Sequence, residues 1–394
     1  GTTGATVPLD DRTLVISLQR MNRILRLDRD NRLMVVEPGV TNQAVQEAAG
    51  AAGFFWPPDP TSAAVCTIGG NLAYNSAGPR AVKYGTPREN TLALTAVTGT
   101  GQTLHTGVVT TKGVVGYDLT RLLIGSEGTL AIITGATLKL TPLQPARRLL
   151  RAEYRNMHSA AAAVANIMAQ PVTPCALEFM DGAAIAMVRD EVPSDLHPDA
   201  GALLIIEVDG MASQLDDISM QVATAAQVQG TLHIHQARNA QEARALWEVR
   251  KALSPALRRV APKKINEDVV VPVSCIPELV ERLSTLSAKH AIKIVNFGHA
   301  GNGNLHVNLL YDPGDPSQQQ RAEACLEDVF TAVLEMDGTI SGEHGIGLVK
   351  RDWVAKEIDA ASLQLMHAIK RQFDPNGILN PGKALPAIAP DAGS

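Results

Sequence analysis

Residues 296–309 read NFGHAGNGNLHVNL, a stretch with two histidines among glycines and asparagines. Asn302 and Gly303 form a dipeptide typical of a type I′ hairpin turn, and the runs on either side are strand-like. In such a hairpin His299 faces His306, and side chains that face each other across two strands can reach one ion. The stretch therefore predicts an antiparallel sheet that carries a histidine pair.

Three interpretations of this stretch remain open. A glycine loop that binds phosphate must lead into a helix N-terminus, whereas these glycines lead into the strand-like run Asn304–Leu310. A hairpin with two structural histidines and a metal site are equally consistent with the stretch, because two histidines do not complete a metal shell. Asn308 shares the face of His306, two residues further on.

Glu343 and His344 favour the metal-site interpretation over the hairpin with structural histidines. They stand between glycines in residues 339–351, TISGEHGIGLVKR. With Glu343, the histidines become a set of two imidazoles and one carboxylate with open positions, the pattern of a catalytic metal site. His344 would lie beside the metal as an acid or base. A helix-to-strand turn with an exposed Glu and His is the alternative.

The bulk properties exclude several classes of protein. The chain has 394 residues, 45% of them hydrophobic, which suffices for two packed domains. A net charge of −5 without basic blocks and an aromatic content of 4% argue against a nucleic acid partner. The four cysteines form no CxxC pair, which disfavours a zinc ribbon or a disulfide framework and fits a reducing compartment. No apolar run approaches the ~20 residues of a membrane span.

The pattern of predicted strands and helices changes at Pro142–Pro145, which indicates a domain boundary. Residues 1–142 are predicted to form short strands separated by glycines. A helix is predicted at Asn42–Ala52, after the N-cap Thr41. The strands predicted there are Thr13–Leu18, Ile24–Asp28, Leu33–Val36, Thr91–Val97 and Leu130–Leu140. Residues 143–372 alternate strands with longer helices, which predicts an antiparallel sheet covered by helices on one face. The final segment is too rich in Pro, Gly and Asn for a helix.

Two glycine-rich segments lie in the first part. Residues 56–85 read WPPDPTSAAVCTIGGNLAYNSAGPRAVKYG, and residues 125–128 read GSEG. Neither contains GxGxxG, which disfavours a nicotinamide site. Glycines let backbone N–H groups approach an anion closely, so a phosphate site and a pair of tight turns are both consistent with these segments.

Four segments, in order, resemble those of the flavin-dependent D-2-hydroxy-acid dehydrogenases. They are PPDPTSAAVCTIGGNLAYNSAGP, GYDLTRLLIGSEGTLAIIT, GHAGNGNLHVN, and SGEHGIGLVKR with the tail FDPNGILNPGK. This group contains D-lactate dehydrogenases, glycolate oxidase catalytic subunits and D-2-hydroxyglutarate dehydrogenases. The resemblance implies an α+β chain with an FAD-binding domain of the vanillyl-alcohol oxidase (PCMH) type at residues 1–142. It further implies a substrate- and metal-binding cap domain at 143–372 and a segment at 373–394 that returns to the flavin.

The resemblance also implies roles for single residues. Those that would contact FAD are Pro58, Asp59, Pro60, Thr61, Ser62, Thr67, Gly69, Gly70, Asn71, Ser76, Gly78, Glu127, Gly128, Ile132, Ile133 and Asn380. His299, His306 and Glu343 would bind a divalent metal, zinc or manganese. The residues on the substrate side would be Arg250, Asn308 and His344.

Three features depart from the family pattern. Only the opening GTTGA resembles the pyrophosphate loop, so we expect the first part of the FAD-binding domain to be missing here and flavin retention to be weakened. Many relatives have Asp where Asn302 stands, and Asn suits the turn equally well. Some diacid-specific relatives carry a lysine at the position of Asn266, or of Lys263 or Lys264 if the alignment gap is shifted. A second substrate carboxylate is therefore less well supported.

The expected reaction is oxidation of a D-2-hydroxy acid, D-lactate first, to the 2-oxo acid. The substrate would chelate the metal, Arg250 would pair with its carboxylate, and His344 would take the hydroxyl proton while a hydride passes to flavin N5. Glycolate and D-2-hydroxyglutarate are the alternative substrates. A metal-dependent hydrolase without flavin leaves the glycine segments unexplained. A non-catalytic partner subunit leaves the metal set unexplained.

The electrons then need an acceptor. The cysteines do not form an iron–sulfur set, so we expect an acceptor protein or a quinone. We also expect a homodimer without a transmembrane segment. Its place would be the cytoplasm, or the membrane periphery if the acceptor lies there.

Overall fold

The computed structural model describes residues 3–189 and 196–387. Its strands are β1 Ile24–Asp28, β2 Leu33–Val36, β3 Phe54–Phe55, β4 Thr91–Thr98, β5 Thr103–Gly107, β6 Ala131–Lys139, β7 Thr141–Pro142, β8 Ala146–Tyr154, β9 Ala176–Asp181, β10 Ala202–Gly210, β11 Thr231–Gln236, β12 Lys263–Val270, β13 Lys293–His299 and β14 Asn304–Tyr311. Its helices are α1 Asn42–Ala51, α2 Ile68–Tyr74, α3 Ala81–Tyr84, α4 Leu119–Leu123, α5 Met157–Ala169, α6 Gly182–Val188, α7 Leu215–Ala226, α8 Ala240–Val260, α9 Ile276–His290, α10 Pro316–Leu334, α11 Val354–Glu357 and α12 Ala360–Phe373. Within the described ranges, no helix is both long enough and apolar enough to cross a bilayer.

The chain divides into two compact units, Gly1–Leu143 with Glu343–Ser394, and Gln144–Gly342. The first unit is built on an antiparallel sheet of five strands in the order β1-β2-β6-β4-β5. Met34 of β2 and Leu138 of β6 pack with Val45 of α1 in its core. As predicted, α1 begins after Thr41, whose hydroxyl accepts the N–H of Ala44.

The second unit is built on an antiparallel sheet of seven strands in the order β11-β8-β10-β9-β13-β14-β12. Leu203 and Ile205 of β10 pack with residues of α6 and α8. Leu204 and Ile206 point to the opposite face and are fully buried, on the side of α5 and α7. Helices therefore cover both faces, and the expectation of one covered face was wrong. A continuous apolar strand such as β10 is typical of a sheet buried on both sides.

Most predicted elements match the structure, and the misses have physical causes. The bounds of β1 and β2 are those predicted. The strand predicted at Thr13–Leu18 is absent: this segment has no regular structure, and Leu14 is 83% exposed. Its β-branched residues favour a strand only where a neighbouring strand and a core are available. The sequence pattern predicts a strand at Asp268–Val273, but β12 begins at Lys263, because it is an edge strand whose polar residues mask its period.

The structural division differs from the domain boundaries expected from sequence. Residues 343–372 belong to the first unit, together with the C-terminal segment. Ile369 and Phe373 of α12 pack against the core of that unit. Lys383 donates to the carbonyl oxygens of Ala5 and Val7, so both ends of the described chain lie in one unit.

Candidate active site

The β13–β14 hairpin brings two histidines together, although not as predicted. A 3-10 turn over Ala300–Asn302 is followed by Gly303 at φ +71°, so the loop has four residues rather than two. His299 therefore pairs with Asn304 and not with His306. The direct opposition of the two histidines was wrong, but they are diagonal neighbours on one face. Their ring centroids lie 5.2 Å apart, and both side chains are buried.

A buried carboxylate connects His299 with Arg250. Glu178 of β9 is 2% exposed, and it hydrogen-bonds to Nδ1 of His299 and accepts Nε–H of Arg250 at 3.0 Å. Burial opposes the charged form of Glu178, but the neighbouring His299 and Arg250 hold its pKa below the usual range. The Arg250 guanidinium also lies over the ring of Phe297, 4.4 Å from its centroid. Sequence reasoning missed Glu178, although an acidic residue within an apolar strand is a usable signal.

Asn308 is fully buried, and its polar atoms bind protein groups. Its Nδ2 donates to the carbonyl oxygens of Val295 and His306, at 3.1 and 3.0 Å. Its Oδ1 accepts from Asn266 at 2.6 Å. Asn308 thus holds the backbone of His306 in place from two positions further along the same strand.

In the first unit, Glu343 is held by a glycine-containing turn. One oxygen of its carboxylate accepts the N–H groups of Ala77 and Gly78, at 3.0 and 2.9 Å. The hydroxyl of Ser76 donates to the carbonyl oxygen of Glu343 at 3.2 Å. Ser76 and Gly78, which the resemblance implies as FAD contacts, therefore bind a residue of the same chain.

The loop that carries His344 is fixed by a second buried acid. Glu127, 5% exposed, accepts the N–H groups of Ile346 at 2.6 Å and Gly347 at 2.8 Å. Burial raises the pKa of Glu127. The carbonyl oxygen of His344 accepts the hydroxyl of Thr3 at 3.1 Å. Glu127 thus acts here by shaping the His344 loop.

Comparisons with known proteins place the chain in a family. Residues 143–384 match the C-terminal domain of FAD linked oxidases, and residues 1–107 match an FAD binding domain. The chain belongs to the FAD-linked oxidases. Glycolate oxidase subunit GlcD of Bacillus subtilis (strain 168) is 38% identical over 380 residues, 96% of this chain and 81% of the relative. D-lactate dehydrogenase of Anaerostipes hadrus is 35% identical over 378 residues, 94% of this chain and 79% of the relative.

A solved structure supports the same fold. p-Cresol methylhydroxylase with substrate bound superposes with a TM-score of 0.75 at 17% identity, over 93% of this chain and 79% of that one. The chain is thus an FAD-dependent oxidoreductase with the FAD-binding fold of the vanillyl-alcohol oxidase type, as the sequence indicated.

Several residues expected to contact FAD lie in one organised loop region of this FAD-linked oxidase. The carbonyl oxygen of Pro58 accepts from Asn42 at 2.9 Å and from Gln46 at 3.2 Å. Asn42 also donates to Asn71, which is buried in the middle of α2. Sequence reasoning missed Asn42 and Gln46, because both lie on a helix that is remote in sequence from the loop they support.

The other expected FAD contacts are spread over the first unit. Asp59 and Pro60 are half-buried, Thr61 and Ser62 are exposed, Thr67 caps α2 through the N–H of Gly70, and Gly69 lies against Pro38. Asn380 donates to the carbonyl oxygen of Glu127 at 2.5 Å, next to Gly128. Ile132 and Ile133 lie on β6, and Thr134 beside them lines a cavity of about 420 Å³ on the sheet. Which of these residues contact FAD stays a prediction.

Proposed function

We propose that this FAD-linked oxidase oxidises a D-2-hydroxy acid to the 2-oxo acid, with D-lactate as the preferred substrate. Glycolate and D-2-hydroxyglutarate are the alternatives. The observation that carries the proposal is the buried pair of His299 and His306, with Arg250 held by the same carboxylate as His299. Relatives named for glycolate and D-lactate support this substrate class. FAD, when bound, supplies the acceptor for the substrate hydride.

The donor set of His299, His306 and Glu343 fits a divalent metal such as zinc or manganese. Gly342, which precedes Glu343, donates its N–H to the carbonyl oxygen of Asp268 at 3.0 Å, and Asp268 pairs with His306 across β12 and β14. The Cα atom of Glu343 lies about 3.8 Å from that of Gly342, as in any two consecutive residues. Glu343 thus follows a residue that is hydrogen-bonded to the strand partner of His306, which supports Glu343 as the third ligand. Such a metal would lower the pKa of the substrate hydroxyl.

The remaining side chains would bind substrate and move its proton. Arg250 would pair with the substrate carboxylate through its terminal nitrogens, because its Nε is already engaged by Glu178. His344 would take the hydroxyl proton as general base. Asn308 would serve this chemistry by holding the backbone of His306.

Flavin reduction tests the proposal directly. The purified protein should be yellow, and D-lactate should bleach it anaerobically faster than glycolate or D-2-hydroxyglutarate does. His344→Ala and His299→Ala should each abolish bleaching, whereas His290→Ala, which removes a histidine paired with Asp328, should not. Bleaching at the wild-type rate by either site variant would remove that residue from the mechanism. Protein that cannot be reconstituted with FAD and hydrolyses substrates with a metal would favour a metal-dependent hydrolase instead.

Reoxidation would use an acceptor protein or a quinone. Mixing the substrate-reduced protein with a soluble quinone analogue, and measuring the return of flavin absorbance, tests this part. A homodimer in the cytoplasm, at the membrane periphery if the acceptor lies there, completes the proposal. Sedimentation of the purified protein would reveal its oligomeric state.

A further inference from the structure

Glu178 occupies an unusual place for a carboxylate. It lies within the apolar run ALEFMD of β9 and pairs directly with His299 of the neighbouring strand β13. One carboxylate oxygen contacts Nδ1 of His299, and the other accepts Nε–H of Arg250 at 3.0 Å. Each oxygen thus faces a different residue of the proposed site.

We propose that Glu178 is a positioning residue that sets the tautomer of His299 and the direction of Arg250 together. Its carboxylate keeps the proton of His299 on Nδ1, which leaves the lone pair of Nε2 for a divalent metal. The same group orients Arg250 toward the substrate carboxylate. This inference rests on the proposed function for the identity of the ligands, and its test does not depend on turnover.

The argument follows from donor and acceptor capacity. An ionised carboxylate only accepts hydrogen bonds, and an arginine only donates them. A neutral imidazole has one N–H and one lone pair, so a ring whose Nδ1 donates to Glu178 presents an unprotonated Nε2. Histidines that bind metals are commonly held by such a carboxylate, and loss of this partner costs 10–100-fold in metal affinity.

A glutamine at position 178 cannot serve both partners. Its amide has one accepting oxygen and one donating NH₂ group. If the oxygen faces Arg250, the NH₂ group faces Nδ1 of His299 and forces the proton onto Nε2, which removes the metal lone pair. If the oxygen faces His299, the NH₂ group faces a guanidinium donor and displaces Arg250. Glu178→Gln therefore damages one half of the site while it keeps the shape of the side chain.

The experiment uses the 394-residue chain, metal-free, with ¹⁵N-labelled histidine. Long-range ¹H–¹⁵N spectra report the tautomer of His299, assigned with His299→Gln, and calorimetry with Mn²⁺ reports metal affinity. We expect Nδ1–H in the wild type and a 10–100-fold weaker Mn²⁺ affinity in Glu178→Ala. In Glu178→Gln we expect either Nε2–H on His299 with the same loss of Mn²⁺ affinity, or an unchanged tautomer with a shifted Arg250 Nε–H resonance, recorded from ¹⁵N-labelled arginine. If Glu178→Ala does not fold, Glu178→Gln carries the test alone.

Glu153→Gln is the matched control. Glu153 is equally buried in the same sheet and lies 2.8 Å from Arg151, but it hydrogen-bonds to the N–H of His197 rather than to a histidine ring. It should leave the His299 tautomer and Mn²⁺ affinity unchanged. Nε2–H in the wild type, or wild-type Mn²⁺ affinity in folded Glu178→Gln with an undisturbed Arg250, would overturn the positioning role. Failure of D-lactate to bleach the flavin would contradict only the proposed function, because tautomer and Mn²⁺ affinity are measured without substrate.

Discussion

The carboxylate of Glu343 accepts the backbone N–H of Gly78 at 2.9 Å. The N–H of Ala77 donates to the same oxygen. These two donors belong to the glycine-rich segment at residues 56–85, which was expected to contact FAD, and here they bind a proposed metal ligand. Hydrogen bonds to an ionised group are the stronger kind, so this turn holds Glu343 firmly.

Replacing Gly78 tests this connection. Gly78 has φ +78°, and an added Cβ would lie 2.7 Å from the carbonyl oxygen of Asp59. Gly78→Ala should lower the free energy of unfolding by about 2–4 kcal/mol, because backbone strain and a clash add together. Gly101 has φ +82° and open space around it, so Gly101→Ala should cost only about 1–2 kcal/mol. Urea denaturation measures both.

The two glycine variants should also differ in metal binding. Movement of the Gly78 N–H group would release Glu343 and weaken Mn²⁺ binding, whereas Gly101→Ala should leave it unchanged. Equal losses in free energy of unfolding for both variants would mean that the clash with Asp59 does not destabilise Gly78→Ala.

The proximity of His299 and His306 could be predicted because its sequence signal is local. A short run of sequence indicates each candidate group of site residues. One run is the glycine-flanked pair Glu343 and His344, and the other is the glycine- and asparagine-rich stretch from His299 to His306. The four-residue turn was not predictable, because Asn302 and Gly303 suit a two-residue turn equally well. Gly303 instead follows a 3-10 turn, and its missing Cβ avoids the carbonyl oxygen of Val271.

Partners that are remote in sequence were not predictable. Glu178 contacts His299 because β9 and β13 are neighbours in the sheet. The hydrophobic pattern of each strand does not predict the order of the strands in the sheet. Glu127 meets Ile346 for the same kind of reason, across 219 positions of the chain. Buried acids in apolar surroundings indicate that such partners exist, without identifying them.

Removal of the metal should separate cofactor binding from substrate oxidation. Chelator-treated protein should keep its flavin absorbance, because the residues assigned to FAD include none of the three proposed metal ligands. Its bleaching by D-lactate should fall at least 100-fold and return with Mn²⁺ or Zn²⁺. His306→Ala should stay inactive after metal addition. Full bleaching of verified metal-free protein would exclude a metal from the reaction.

Asn308 should matter for stability as well as activity. Asn308→Ala leaves the carbonyl oxygens of Val295 and His306 and the amide of Asn266 without this partner in a buried place. The expected loss in free energy of unfolding is about 2–4 kcal/mol. Asn266→Ala removes a single hydrogen bond to Asn308 and should cost about 1 kcal/mol. A fully stable Asn308→Ala with reduced turnover would instead indicate direct substrate contact.

Asp181 should make stability fall as pH rises. It caps α6 by accepting the N–H of Ala184, it accepts two hydrogen bonds from Asn296, and burial raises its pKa to about 6. Because this folded-state value exceeds that of an unfolded aspartate, the folded protein binds more protons between pH ~4 and ~6. Its contribution is complete below pH ~4 and is lost through pH ~6, on the order of 2–3 kcal/mol.

Asp181→Asn isolates this contribution from those of other acids. The variant cannot ionise, so its stability relative to the wild type should improve steadily from pH 4 to pH 6.5 in urea titrations. Asp315, the half-buried N-cap of α10, has its pKa lowered mainly by its hydrogen bond with Ser317, so Asp315→Asn should show the opposite trend, at pH values below about 4. The loss in free energy of unfolding caused by Asp315→Asn should become smaller as pH falls through the range where Asp315 protonates. Parallel profiles for the two variants would show that the hydrogen bonds around Asp181 outweigh its burial.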